Sequence, residues 1–280
     1  MKDVVEVAAA QIDVKWLDPE ANLTKVKSLI DRIETQGRVD LIVFPELCSS
    51  GYVVGRDKTF MRNYLRAAEK IPGPFTEGLS EMARKHGIYI VAGVLEEHPA
   101  VTATLYNTAV LIGPSGEIIG MQRKLHIASE EKHYFYPGSS LEVFPTDLGK
   151  LGMLVCADNS FPEAPRILSL KGAEIICVSY SRGKISVDRE VSKRVVSSRA
   201  FENQNFFVAC NRVGREGDVV FDGGSCIAGP NGGYIAQSEV ETEDIVKGTL
   251  KAEVMYEIRT WKTRYRDRRP ELYGFICQPF

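Results

Sequence analysis

Three side chains of unlike chemistry stand where apolar runs of this chain give out. Glu46 follows Leu41-Ile42-Val43-Phe44-Pro45, Lys124 falls in Arg123-Lys124-Leu125-His126, and Cys156 ends Gly152-Met153-Leu154-Val155 just before Ala157-Asp158. A carboxylate beyond a buried strand can move protons, and active-site residues of α/β proteins gather beyond strand carboxyl ends. A cysteine between a strand and a helix can sit at a sharp turn, near backbone N–H groups and the positive end of the helix. Both lower a thiol pKa and favour an oxyanion. Each residue also has a plainer reading: Glu46 as a helix cap, Lys124 as a solvated surface lysine, Cys156 as an inert core thiol. Their joint occurrence shifts the balance towards chemistry.

The elements that would carry these residues are legible in outline. Val4–Ala10 reads as a strand leading to a helix near Asp18-Pro19-Glu20, where an Asp cap precedes a first-turn Pro. Leu41–Phe44 is too short for a helix and suits a buried strand. Thr76–His86 reads as a helix ended by Gly87, and Ile88–Val94 as a strand. Asn107–Ile112 and Ile118–Arg123 flank Gly113-Pro114-Ser115-Gly116, a hairpin turn. The alternation then resumes. Leu151–Val155, Glu174–Ser179 and Phe206–Cys210 read as strands, Pro162–Lys171 and Val187–Asn203 as helices, and Gly229-Pro230-Asn231-Gly232-Gly233 as a second hairpin. Alternating strands and helices mixed with hairpins predict an α/β protein with a mixed sheet. No linker divides the chain, so residues 1–280 read as one domain with a C-terminal docking segment at about 260–280, rich in Pro and Arg over Arg264–Pro270.

Composition removes several classes of function. Hydrophobic residues make up 44% of 280, enough for a well-buried core. The formal net charge of −2 offers no global positive field for nucleic acid or an anionic membrane. No apolar run is long enough to span a bilayer and no signal peptide is evident, which points to the cytoplasm. The six cysteines, Cys48, Cys156, Cys177, Cys210, Cys226 and Cys277, form no CxxC pair and mostly sit inside apolar runs. They suit neither a zinc site nor a disulfide framework. His126 and His133 lack further ligands at metal spacing, and neither a GxxxxGK[ST] loop nor a strand-linked GxGxxG is present. No metal and no cofactor are expected.

Taken together, the ordered segments resemble the nitrilase superfamily of carbon–nitrogen hydrolases over nearly the whole chain. They are Ala9-Ala10-Gln11, Leu41–Glu46, Arg123–His126, Glu131–Gly138, Cys156–Glu163, Lys171–Glu174, Arg199–Gln204, Cys210–Gly214 and Arg269–Tyr273. The resemblance implies a four-layer αββα sandwich of two mixed β-sheets, paired with a second subunit into a homodimer or larger homo-oligomer. It also implies a Glu–Lys–Cys triad, falling here on Glu46, Lys124 and Cys156. Cys156 would attack an amide carbon, Glu46 would relay the proton, and Lys124 would lower the thiol pKa and hold the oxyanion with the Ala157 N–H. Glu131 matches a second glutamate of the family that would orient Lys124 and substrate.

Residues after the cysteine narrow the substrate. Nitrile-cleaving members place Trp and then Glu there, whereas this chain has Ala157 and Asp158. That favours an amidase or carbamoylase, with a small non-peptide amide as substrate. Ala157 leaves room for a bulkier acyl group. Ser160 stands where many amidase-like members have Arg, so Asn159 and Ser160 cannot grip a carboxylate bidentately. Arg182, in Ser179-Tyr180-Ser181-Arg182-Gly183, could substitute as an anchor or equally be a solvated loop arginine. Tyr52, Asn159, Ser160, Tyr180 and Arg182 are the candidate substrate-binding residues. Two rivals remain: hydrolysis of an N-carbamoyl amine or amino acid, and a non-catalytic scaffold that keeps the fold.

Overall fold

The computed structural model describes residues 1–52, 58–184 and 190–279. From the N-terminus, β1 (Val4–Gln11) leads through α1 (Pro19–Thr35) to β2 (Leu41–Val43). Helices α2 (Lys58–Ala67) and α3 (Pro74–His86) precede β3 (Tyr89–Glu97), β4 (Leu105–Ile112) and β5 (Ile118–Arg123). Then come β6 (Val143–Thr146), β7 (Gly149–Val155), α4 (Glu163–Leu170), β8 (Ile175–Tyr180), α5 (Glu190–Asn203) and β9 (Phe206–Asn211). A hairpin of β10 (Val213–Glu216) and β11 (Val219–Asp222) is followed by β12 (Cys226–Ala228), β13 (Tyr234–Gln237), β14 (Asp244–Lys251) and α6 (Ala252–Trp261).

Eight of these strands fall on the runs read as strands, β12 and β13 flank the second hairpin turn, and the two large sheets are both mixed. One has the order β14-β1-β2-β3-β4-β5 and the other β6-β7-β8-β9-β12-β13. Read across in that order, each sheet pairs antiparallel, parallel, parallel, antiparallel, antiparallel. The inner faces meet in one core that includes Val7, Ala9, Leu41, Val43 and Val91 against Met153, Val155, Cys177, Val208 and Ile227. The outer face of the first sheet packs Ala8, Ile42 and Ile90 on Ile30, Ile33 and Leu79 of α1 and α3. That of the second packs Leu154, Ile176 and Phe207 on Leu168, Val196 and Ala200 of α4 and α5. The result is an αββα sandwich. Covering both faces is why β2, residues 151–155 of β7 and residues 175–178 of β8 are unbroken apolar runs rather than alternating ones.

Local signals fix the element ends. Asp18 Oδ1 accepts the Ala21 N–H at 3.1 Å and caps α1, and Gly87 ends α3 at φ +66°. Of the helix expected over Val187–Asn203, Glu190–Asn203 is α5, and residues 187–189 lie outside the described residues. The Gly51–Thr59 loop likewise includes 53–57, which lie outside them. Beyond α6 the C-terminal segment is tied back through Gln204 Nε2, which donates to the Lys262 carbonyl at 2.8 Å, and through Tyr265, whose hydroxyl lies 3.2 Å from Asn205 Oδ1. Among the described residues, no helix is long and apolar enough to cross a membrane.

One glycine decides where Glu46 can sit. The Gly93 N–H on β3 donates to the Pro45 carbonyl at 3.1 Å, and Ser49 N donates to the Gly93 carbonyl at 3.3 Å. A Cβ on Gly93 would lie 2.4 Å from Leu47 N, 2.5 Å from the Pro45 carbonyl and 2.6 Å from Glu46 Cα. Backbone cannot yield as a flexible side chain does, so Gly93→Ala must push the Pro45–Leu47 turn off β3. We expect a loss of about 1–3 kcal/mol in a urea melt together with a fall in activity. An unchanged melt would refute the close approach.

Candidate active site

Glu46, Lys124 and Cys156 each lie just past the carboxyl end of a strand, β2, β5 and β7 respectively, where the two sheets meet. Lys124 extends β5 by one hydrogen-bonded step: its N–H donates to the Asn107 carbonyl at 2.8 Å and its carbonyl accepts from Gly138 at 2.7 Å. This aims the side chain inward, where it is 1% exposed. Its Nζ donates to Glu46 Oε1 at 2.7 Å and to Glu131 Oε1 at 2.6 Å. An ammonium carries three protons. Two are spent on carboxylates, which leaves one for a substrate oxygen.

Glu46 is wholly buried, and both its oxygens are engaged. Oε1 also accepts from Asn107 Nδ2 at 2.7 Å, and Oε2 accepts the Ser181 N–H at 2.7 Å. The end of β8 clasps its backbone too: Glu46 N donates to the Tyr180 carbonyl at 3.3 Å, Ser181 Oγ to the Glu46 carbonyl at 2.7 Å, and Ser179 Oγ to the Phe44 carbonyl at 2.9 Å. The second sheet thus holds the carboxylate of the first. Glu131 sits in a 3₁₀ turn (Ser129–His133), and its Oε2 accepts the Ala128 N–H at 3.1 Å.

Cys156 begins a second 3₁₀ turn (Cys156–Ser160) and adopts φ +47°, a left-handed conformation that strains a residue with a Cβ. That bend lifts the thiol out of β7 and leaves Ala157 in the first turn, where an N–H has no intrahelical acceptor. Asp158 pins the arrangement. Fully buried, it accepts from Leu125 N at 3.1 Å, His126 N at 2.8 Å and Val155 N at 3.3 Å, with His126 Nδ1 at 2.8 Å. The backbone after Lys124 and the turn at Cys156 are therefore locked to one carboxylate.

The charges set the proton positions. Burial pushes Glu46 above the ordinary carboxylate value of 4.5; Lys124 opposes this and Glu131 adds to it. Burial disfavours the Lys124 cation, but Glu46, Cys156 and Glu131 outweigh it and raise its pKa above 10.5. The Cys156 thiol is pushed above 9.0, by burial first and by Glu46 next, while Lys124 pulls it down. The lysine therefore does not lower the thiol overall, because burial outweighs its charge, and the thiol rests in its neutral form. Burial also lifts Cys48, Cys177 and Cys226 to about 12, so acidity does not single out Cys156. Its partial exposure and its charged neighbours do.

The candidate substrate residues divide. Tyr52 sets its ring 5.9 Å from Lys124 Nζ. The buried Tyr180 hydroxyl accepts from Asn159 Nδ2 at 2.8 Å, and Asn159 Oδ1 has no partner among the described residues. Arg182 donates its N–H to Asn211 Oδ1 at 2.9 Å and reaches Ser192 Oγ with its guanidinium. Ser160 is exposed, its carbonyl held by Arg199 Nη2 at 3.1 Å. Asn107, Ser181 and Asp158 were not read from the sequence as site residues. Among the described residues, no three His, Cys, Asp or Glu side chains gather as a metal would require.

A stacked pair of mixed sheets presenting a thiol beside a buried acid–ammonium pair defines a class of hydrolytic enzyme. The carbon-nitrogen hydrolase family model matches residues 6–260, and the chain belongs to that family. It is 34% identical over 276 residues to a probable nitrilase of Schizosaccharomyces pombe, covering 98% of each chain. It is 30% identical to an N-carbamoylputrescine amidase of Solanum lycopersicum, over 98% of this chain and 95% of that one. Among solved structures it is similar to a double mutant of the amidase from Nesterenkonia sp. AN1 in complex with acrylamide. The TM-score is 0.81, with 26% identity, covering 98% of this chain and 97% of that one.

Asp158→Asn keeps the shape of the side chain but replaces one acceptor oxygen by a donor facing backbone N–H groups. We expect about 1–3 kcal/mol lower stability by thermal or urea melt, and kcat should fall because Lys124 and Cys156 lose their common anchor. A variant with wild-type kcat would refute that anchoring.

Proposed function

We propose that the chain hydrolyses the carbon–nitrogen bond of a small non-peptide amide, releasing ammonia through a thioester on Cys156. The observation that carries this reading is the buried Lys124 ammonium, held at 2.7 Å by Glu46 and at 2.6 Å by Glu131, whose charge bears on the Cys156 thiol. In the proposed sequence Glu46 takes the thiol proton as sulfur bonds to the amide carbon. The oxyanion is held by the third Lys124 proton and the Ala157 N–H, and each such donor contributes roughly 3–4 kcal/mol to the transition state. Collapse breaks the C–N bond while Glu46 returns the proton to the leaving nitrogen. Glu46 then takes a proton from water, whose oxygen attacks the thioester. The C–S bond breaks, and Glu46 reprotonates the sulfur as the carboxylic acid departs. Likeness to the acrylamide-bound amidase supports an amide substrate.

A second reading, N-carbamoyl hydrolysis, draws support from the likeness to N-carbamoylputrescine amidase. It differs in releasing carbon dioxide along with ammonia. Exposed Ile167, Leu170, Phe201 and Ile276 support a homo-oligomer, with a dimer as the least assembly. Sedimentation at micromolar concentration should then give at least twice the chain mass, and a monomer would remove that part of the proposal.

The deciding experiment measures ammonia and carbon dioxide release across simple, branched and aromatic amides, ureido compounds and nitriles, with Cys156→Ala as control. Ammonia from amides that vanishes in the variant supports the reading, and an equally active variant would sink it. The pH profile carries a further expectation. Below its raised pKa Glu46 holds a proton and cannot accept the thiol's, so kcat/KM should fall on the acid side with a midpoint above 4.5. Because Lys124 and Cys156 are raised, the alkaline limb should lie well above neutrality. An acid midpoint at or below 4.5 would count against Glu46 as the base.

A further inference from the structure

Arg212, just past β9, is the largest fully buried side chain among the described residues, and nothing in the proposed reaction uses it. Its Nη1 bonds Glu216 Oε1, its Nη2 donates to the Val14 carbonyl at 2.8 Å with Asp13 Oδ1 at 3.5 Å, and its guanidinium lies 4.1 Å over the Phe221 ring. Glu216, equally buried, turns its other oxygen towards the site: Oε2 accepts the Tyr52 N–H at 2.9 Å. The chain before Tyr52 is laid directly on this carboxylate. Gly51 has φ +82°, and a Cβ there would lie 2.4 Å from Glu216 Oε1. The Tyr52 ring meets Phe221 edge-on at 6.3 Å, the same ring that Arg212 covers. From that seat the Tyr52 ring lies 5.9 Å from Lys124 Nζ.

A buried ion pair gives up solvation that its attraction barely recovers, so it is poor evidence of a stability device. What it supplies here is a fixed point for one backbone N–H. We infer that Arg212 and Glu216 are positioning residues of the active site, fixing Tyr52 beside Lys124. In this way they set the direction of the ammonium proton offered to substrate. The inference rests on Lys124, Glu46 and Cys156 being the reacting groups. A merely structural role would instead have the pair fasten β9 and β10 to the chain after β1.

A double-mutant cycle separates the two. Removing both charges together, Arg212→Met with Glu216→Leu, avoids stranding a buried ion and should fold. Glu216→Gln is the gentler second variant, since an amide cannot accept from both Arg212 and Tyr52. We expect either to lower kcat about 10- to 100-fold, as for a small misplacement of a catalytic group, with KM little changed. Introduced into Tyr52→Ala, the same changes should lower kcat no further. Equal losses with and without Tyr52, or a folded paired variant with wild-type kcat/KM, would overturn the inference. Capture of Cys156 by iodoacetamide gives a readout that needs no turnover, in a Cys277→Ser background because Cys277 is exposed. The same non-additive pattern of capture rates without amide turnover would support this positioning role while removing the hydrolase reading. Capture rates indifferent to the pair would remove the positioning role.

Discussion

An ammonium taken out of water must find its compensation within bonding distance, and Lys124 finds it in two buried carboxyl groups. Burial is the first influence on all three groups: it raises Glu46 and Cys156 and opposes the Lys124 cation. The neighbouring charges then keep the lysine protonated, while Glu131 adds to the rise at Glu46 and at the thiol. Removing one carboxylate would not simply delete a contact, because it would change the charge balance on which the other two groups depend. It would also disturb a buried pair whose rupture typically costs about 3–5 kcal/mol. Asn107 and Ser181 complete the arrangement by satisfying Glu46 lone pairs that the lysine cannot reach.

How much of this was legible beforehand follows from where each signal lies. Glu46, Lys124 and Cys156 stood out because each closely follows a strand read from the sequence and because they occur jointly; a strand end is a local property. The hairpin at Gly113–Gly116, the Asp18 cap and the Gly87 stop were legible for the same reason. The supporting residues carry no such mark. Asn107 lies inside an apolar strand, 61 residues from the carboxylate it holds, and Ser181 is 135 residues from it. Asp158 looks like any acid at a turn until its acceptance of three backbone N–H groups is seen. Edge strands were hidden as well. β6 contains Pro145, and β14 pairs with β1 from the far end of the chain. The direction of the thiol shift was misjudged because a lysine's charge is written in the sequence, whereas its sharing and its burial are not.

The two sheets repeat one pairing pattern without any short-period repeat in sequence, since a pattern of strand directions constrains the apolar character of each run more than its identity. The equivalence extends to the site. Glu46 follows the third strand in one sheet's order, and Ser179, Tyr180 and Ser181 end or follow the third strand in the other. The two strand ends bond to each other reciprocally, so the plane between the sheets at this end is closed by polar contacts. Elsewhere it is filled by the apolar core.

Glu46 and Lys124 come from one sheet and Cys156 from the other, so for the proposed reaction neither half of the chain holds a competent set of groups alone. A newly made or partly opened chain carries six ordinary thiols, none beside an acid and an ammonium. On the proposed reaction, reactivity is acquired only as the halves close, like an adhesive whose two components harden on mixing. The sulfur then stays passive until the two sheets have met.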